Sequence, residues 1–172
     1  IYIGHNNLCM DYEGLEANYI AGTPYVGANV RYYAGPGDNL GFFTAWDPIA
    51  RRAVWQIPER WMVWSGAPAT AGDLVVYGTM DGWLKIVHAR TGEQLWQFRT
   101  SSGIIGQPVT YRGPDGKQYI AIFSGIGGWP GSVVVNDLDT RDPTAGAGWG
   151  EVMGPLKGQT QRGSTLYVFA LP

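Results

Sequence analysis

Asp73-Leu74-Val75-Val76-Tyr77-Gly78, then Asp81-Gly82, then Trp83-Leu84-Lys85-Ile86-Val87-His88 is the stretch that decides the fold. Both flanking runs are β-branched and aromatic, and Asp-Gly between such runs is a hairpin turn. Thr91-Gly92 makes the next turn, into Gln94-Leu95-Trp96-Gln97-Phe98. Further along, Gly113-Pro114-Asp115-Gly116 turns the chain into Gln118-Tyr119-Ile120-Ala121-Ile122-Phe123, and Thr165 to Leu171 alternates with period two. No segment sustains a helical period of 3.6, apart from a weak possible turn near Tyr12 to Tyr19.

The pattern repeats. Trp55 follows Ala45-Trp46-Asp47 as Trp96 follows Ile86-Val87-His88, and Gly66-Ala67-Pro68-Ala69-Thr70 parallels Gly106-Gln107-Pro108-Val109-Thr110 at an offset of forty. Short strands recurring every 40–45 residues are the signature of propeller blades, each a four-stranded antiparallel sheet. Residues 14–40, rich in Gly, Asn and Tyr, and 130–163, rich in Gly, Asp and Thr, interrupt the repeat as excursions from the blades. The expectation is an all-β chain, a partial β-propeller of two to three blades, with residues 1–172 forming part of a single propeller domain.

Composition agrees. Gly and Pro together make 37 of 172 residues, which argues against a helical bundle, and 45% apolar residues exclude a disordered chain. A net charge of −2 offers no basic field for nucleic acid or anionic lipid. No apolar run approaches the ~18 residues of a membrane span. The chain opens strand-like at Ile1-Tyr2-Ile3-Gly4, without Met or leader, and a closed propeller needs at least four blades, so more propeller is expected beyond these residues. Cys9, the single cysteine, is either a buried free thiol or one whose partner lies outside the chain.

Residues 45–55 and 86–96 are degenerate copies of Ala-x-Asp-x-x-Thr-Gly-x-x-x-Trp, the docking motif of quinoprotein alcohol dehydrogenase propellers. The first keeps Ala45, Asp47 and Trp55; the second keeps Thr91, Gly92 and Trp96. Asn7-Leu8-Cys9-Met10-Asp11-Tyr12, Trp64-Ser65-Gly66, Ala69 to Val75, Tyr77 to Gly82 and Gly127-Gly128-Trp129-Pro130-Gly131 resemble the C-terminal part of the large subunit of PQQ-dependent methanol dehydrogenases. Gly41 to Gly66, with Ile57-Pro58-Glu59-Arg60, is most similar to the lanthanide-dependent type. The resemblance implies an eight-bladed propeller and a periplasmic enzyme that oxidises a small primary alcohol to the aldehyde. It implies PQQ, a lanthanide ion or Ca2+ held by ligands outside this chain, and a c-type cytochrome as electron acceptor. It also implies a homodimer of the complete enzyme, the remaining N-terminal part of the same propeller as partner, and a disulfide from Cys9 to an upstream cysteine.

Trp64 and Trp129 match family tryptophans that contact the quinone. Indole supplies a rigid flat surface and one N–H donor, and the small neighbours of both residues suit close approach by a planar ring. From the residues alone both read as propeller core, as Trp55 and Trp96 are expected to be; the resemblance points instead to cofactor contact. Gly125 to Gly131 is expected to lead into a strand, Ser132-Val133-Val134-Val135, which denies it the helix that a phosphate loop needs. Asp137, Asp139 and Asp142 lack the Gly and Glu of a calcium loop, His5 and His88 stand alone, and Asp11 and Glu13 read as solvated strand carboxylates. No catalytic set or metal site is complete here. A non-enzymatic propeller scaffold for protein binding is the alternative from a different class; it has no need of the Trp64 and Trp129 strings.

Overall fold

The computed structural model describes residues 1–16, 18, 21, 27–135 and 148–170, with the main chain alone at 129, 132, 133 and 135. Eleven strands, β1 (Tyr2–Asn6), β2 (Leu8–Gly14), β3 (Ala28–Ala34), β4 (Gly41–Asp47), β5 (Arg52–Glu59), β6 (Leu74–Gly78), β7 (Trp83–His88), β8 (Gln94–Arg99), β9 (Val109–Arg112), β10 (Gln118–Ser124) and β11 (Thr165–Ala170), and two short helices, α1 (Gly128–Val135) and α2 (Gly150–Met153), order the described residues. The strands form antiparallel sheets β1-β4-β5, β6-β7-β8 and β11-β10-β9, here blades I, II and III, and the hairpin β2-β3. Blade II gains a fourth, inner strand where Ala69 bridges Val75 and the Val76 N–H donates to the Pro68 carbonyl at 3.1 Å.

Blades stack face to face because alternate residues point to opposite sides. Blade I turns Tyr2, Phe43, Trp55 and Ile57 onto Val75, Tyr77 and Val87 of blade II; Phe43 and Tyr77 stack at 3.8 Å. The other side of blade II, with Val76 and Leu84, meets Ile120, Ile122, Tyr167 and Phe169 of blade III. The docking motif explains the first junction. The Trp55 indole N–H donates to the Ala89 carbonyl at 3.0 Å, and a Cβ at Gly92 (φ +74°) would lie 2.8 Å from its ring, so glycine lets the turn rest on the indole. The first copy has Arg51 where the motif has glycine, and it takes the same left-handed conformation at φ +54°. Asp47 steadies that turn by accepting the Ile49 and Ala50 N–H groups at 2.9 and 3.0 Å. Trp96 touches Phe169 across the second junction, yet is 39% exposed, less embedded than its motif position leads one to expect.

Buried polar groups also meet inside each junction. Between I and II the Lys85 ammonium donates to both Glu59 oxygens at 2.6 and 2.8 Å, and the Tyr77 hydroxyl donates to one of them at 2.7 Å. Burial and the Glu59 charge push the Tyr77 hydroxyl far above the ordinary tyrosine range. Between II and III the Ser124 hydroxyl donates to Thr100 Oγ1 at 2.9 Å and also accepts the Ser102 N–H at 3.0 Å.

Two expectations change. The stretch expected as strand Ser132–Val135 is the helix α1. Gly128 at φ +56° redirects the chain after β10, Pro130 suits a first helical turn, and Val134 gains burial in a core that overrides the strand preference of valine. The phosphate-loop reading therefore does not fail for want of a helix; it is weakened by Pro130, which removes one N–H donor from the first turn. The excursion after β1 begins with a strand, β2, before residue 14 is reached. Asp137, Asp139 and Asp142 lie outside the described residues.

Glu59→Ala is expected to lower the unfolding free energy of the full-length protein by about 3–5 kcal/mol, because it strands the buried Lys85 ammonium. Glu59→Met with Lys85→Met is expected to recover most of that loss in denaturant unfolding. Since Tyr77 holds its proton more tightly folded than unfolded, its stabilising contribution is complete below about pH 10 and declines as pH rises beyond it. Alkaline titration of the melting temperature measures that decline, and Tyr77→Phe should remove its share.

Candidate functional site: a tryptophan wall beside the first blade

Trp64 stands on the segment that leaves blade I for the inner strand of blade II. It borders an open groove of about 600 Å³ lined by β1 (Tyr2 to Asn6) and by Val63, Trp64, Ser65, Gly66 and Ala67. The groove runs along the β1 edge opposite β4, which has no strand partner among the described residues. The indole is half-buried. Its N–H donates to Asn6 Oδ1 at 2.9 Å, and its ring lies perpendicular to that of Trp149, with centroids 5.9 Å apart and 88° between the planes. Trp149 in turn stacks on Tyr32 of the β2-β3 hairpin at 4.3 Å.

The two excursions build this support together. The Tyr32 N–H donates to the Gly148 carbonyl at 3.1 Å, and the Arg31 guanidinium grips Glu151 with two bonds of 2.7 and 3.0 Å. Beneath them lies a core of Trp61, Met62, Met80, Ile126, Val134, Val152, Met153 and Leu156, against which Leu8, Tyr32, Leu40, Trp64, Ile105 and Trp149 pack. Ile126 precedes α1 and Val134 lies within it, so the helix that carries Trp129 and the segment that carries Trp64 border one core. Trp129 is the second residue of α1, and only its main chain is described.

A planar ligand in this groove would meet the Trp64 indole, but no lysine or arginine. Carboxylates on such a ligand would need partners from elsewhere. The indole N–H that the sequence offers to a ligand is already engaged by Asn6. Gly66 has a packing reason to be glycine: a Cβ there would meet the Gln107 side chain at 2.6 Å, so the glycine lets the blade II and blade III inner segments pass closely. Among the described residues, no three of His, Cys, Asp or Glu come within reach of one metal ion. His5 pairs with Thr44 Oγ1 at 3.0 Å, His88 with Thr91 Oγ1 at 3.1 Å, and Asp11 accepts the Tyr33 hydroxyl at 3.3 Å.

Residues 40–120 match the family model of the glucose/ethanol/alcohol dehydrogenase β-propeller domain that is named for PQQ. The chain is 51% identical over 99% of its length to a lanthanide-dependent methanol dehydrogenase of Methylacidiphilum fumariolicum (strain SolV). It is 46% identical, again over 99%, to methanol dehydrogenase (cytochrome c) subunit 1 of Methylobacterium organophilum. A solved europium-containing methanol dehydrogenase superposes on 99% of the chain with a TM-score of 0.93 at 51% identity. The chain is thus similar to PQQ-type dehydrogenase propellers over nearly its whole length. It spans 29% and 28% of the two curated relatives and 30% of the solved chain. The quinoprotein resemblance read from Trp64-Ser65-Gly66 and Gly127 to Gly131 therefore extends across nearly all 172 residues, and β-propeller architecture accounts for the stacked blades.

Asn6, Tyr32 and Trp149 escaped the sequence reading. Tyr32 and Trp149 lie in excursions that follow no repeat, and Asn6 is a single polar residue at a strand end; nothing in the spacing ties any of them to Trp64. Trp149→Ala is expected to remove two ring contacts, costing about 1–3 kcal/mol of stability. It should also shift Trp64 fluorescence to the red, which steady-state emission against Trp64→Phe would read.

Proposed function

We propose that this chain is one part of the propeller of a PQQ-dependent methanol or alcohol dehydrogenase, which oxidises a primary alcohol to the aldehyde. In this reading the chain supplies one wall of the cofactor and substrate cavity. The observation that carries it is the placement of Trp64, a braced indole at the mouth of an open groove, in a chain so closely similar to enzymes of this activity.

PQQ, when bound, would accept the hydride from the carbinol carbon of the alcohol. The part of this chain is to present flat apolar surface and to hold water away from it. Trp64 and Trp129 are its two contacts, Trp129 from the first turn of α1. A lanthanide ion or Ca2+ belongs to the same site, held by carboxylates outside this chain, as are the catalytic base and the cations for the quinone carboxylates. The lanthanide is favoured by the europium-containing neighbour and the lanthanide-dependent relative. The acceptor is a c-type cytochrome, the compartment the periplasm and the complete enzyme a homodimer, with Cys9 bonded to an upstream cysteine.

The remaining partner is further propeller. Val76 and Leu84 of blade II are 1% exposed because blade III covers them. The corresponding outward face of blade III, with Phe123, Leu166 and Val168, is 65%, 53% and 46% exposed. A face built for a blade and left bare fits a chain that spans under a third of its relatives. A protein-binding scaffold has no need of a braced indole in a groove.

In the full-length enzyme, Trp64→Ala and Trp129→Ala should each weaken PQQ retention about tenfold or more, with the melting temperature of the apo form nearly unchanged. Bound PQQ is read from its absorbance. Full PQQ occupancy with early melting would make the residue concerned core rather than cofactor wall.

A further inference from the structure

We infer that Ser102 is the positioning residue for the start of α1: its buried hydroxyl fixes the backbone that sets the place of Trp129. The inference rests on the proposed contact between Trp129 and the quinone. The link from β10 to α1 runs Gly125-Ile126-Gly127-Gly128, in which Ile126 alone carries a side chain. So glycine-rich a link has little stiffness of its own, and its course is set by what it touches. Two bonds from the β8–β9 connection supply that. The Gly125 N–H donates to the Gly103 carbonyl at 2.9 Å, and the Ile126 N–H donates to Ser102 Oγ at 3.1 Å. The first turn of the helix follows at once, closed by the Gly131 N–H on the Gly127 carbonyl at 3.0 Å. The anchored Ile126 amide therefore adjoins the first helical acceptor and lies less than one turn before the main chain of Trp129.

The Ser102 hydroxyl suits this task. Ser102 is 1% exposed, so water does not stand in as the partner of Ile126. Its own hydrogen goes to the Gln161 carbonyl, which holds the hydroxyl in one rotation and leaves a lone pair for the Ile126 N–H. The Ser102 main chain is held in turn, its N–H on Ser124 Oγ at 3.0 Å. Space is as tight as the bonds: a Cβ at Gly103 would strike the Met80 carbonyl, and one at Gly125 that of Gly163. One hydroxyl thus ties together the β8–β9 connection, the entry to α1 and the segment before β11.

Variants of the full-length enzyme test this, read by PQQ affinity of the apo form and by amide hydrogen exchange across residues 125–131. Ser102→Ala should speed exchange in that stretch about tenfold. It should weaken PQQ binding about threefold to tenfold, the scale of one lost hydrogen bond. Thr100→Val strips a hydroxyl from the same junction, but one bonded to Gly82, Ser102 and Ser124 rather than to the entry of α1. It should lower the melting temperature and leave both readouts unchanged. In a Trp129→Ala background, Ser102→Ala should be silent for PQQ affinity. Ser102→Cys, similar in shape but a weaker acceptor, covers the case in which Ser102→Ala does not fold, and should show both changes in smaller measure. Weak binding in Trp129→Ala with normal affinity in the Ser102 variants would overturn the positioning role and leave the quinone reading intact. So would an equal loss in Thr100→Val, or additive losses in the double variant. Full affinity in Trp129→Ala would overturn both.

Discussion

Glu59 lies 8% exposed between two sheets and holds Lys85, itself only 14% exposed, together with the Tyr77 hydroxyl. Much of the structure depends on that contact. Glu59 ends the outer strand of blade I, whereas Tyr77 and Lys85 face each other across β6 and β7 of blade II. One carboxylate therefore sets how far and at what angle the second blade sits from the first. Such a buried pair gains little over an apolar one in net stability, but it tolerates no sliding, because any shift leaves a charge without a partner. The segment from Arg60 to Ala67 crosses from one blade to the next immediately after Glu59. The position of Trp64 is thus a consequence of how blades I and II are locked.

The excursions complete what the blades begin. A propeller blade spends its side chains on its neighbours, so its strand ends offer little surface for a large flat ligand. The hairpin β2-β3 and the helices α1 and α2 converge over those ends on one apolar core, and Tyr32, Trp149 and Trp64 form a chain of ring contacts at its rim. The Arg31–Glu151 bridge is too exposed to add much stability; its two-bond geometry instead fixes the orientation of hairpin against helix.

The three blades are not equivalent. Blade II, covered on both faces, holds the most deeply buried strands, whereas the free face of blade III keeps large apolar side chains in the open. The polar contacts inside the junctions also differ: the first holds an ion pair with a phenol, the second hydroxyls bonded to one another and to main-chain groups. The distinct chemistry makes each junction specific to its own pair of blades, which matters in a repeat architecture where any blade could otherwise pack on any other.

The amino-acid sequence by itself determined the strands, the blade period and the resemblance to quinoprotein propellers. The strands and period were legible because residue alternation, Asp-Gly and Thr-Gly turns and the Trp55/Trp96 spacing are local signals, each set by a few neighbouring residues. Strings such as Trp64-Ser65-Gly66 carried that resemblance and singled out Trp64. Only the tertiary structure decided that Ser132 to Val135 is helical, because the burial of Val134 among residues from Trp61 to Leu156 outweighs the strand preference of valine. Only the tertiary structure showed that Glu59 is an internal tie and that the N–H of Trp64 belongs to Asn6. Those contacts join residues 26 and 58 positions apart, and no local pattern records which distant group will satisfy a buried charge or a lone donor.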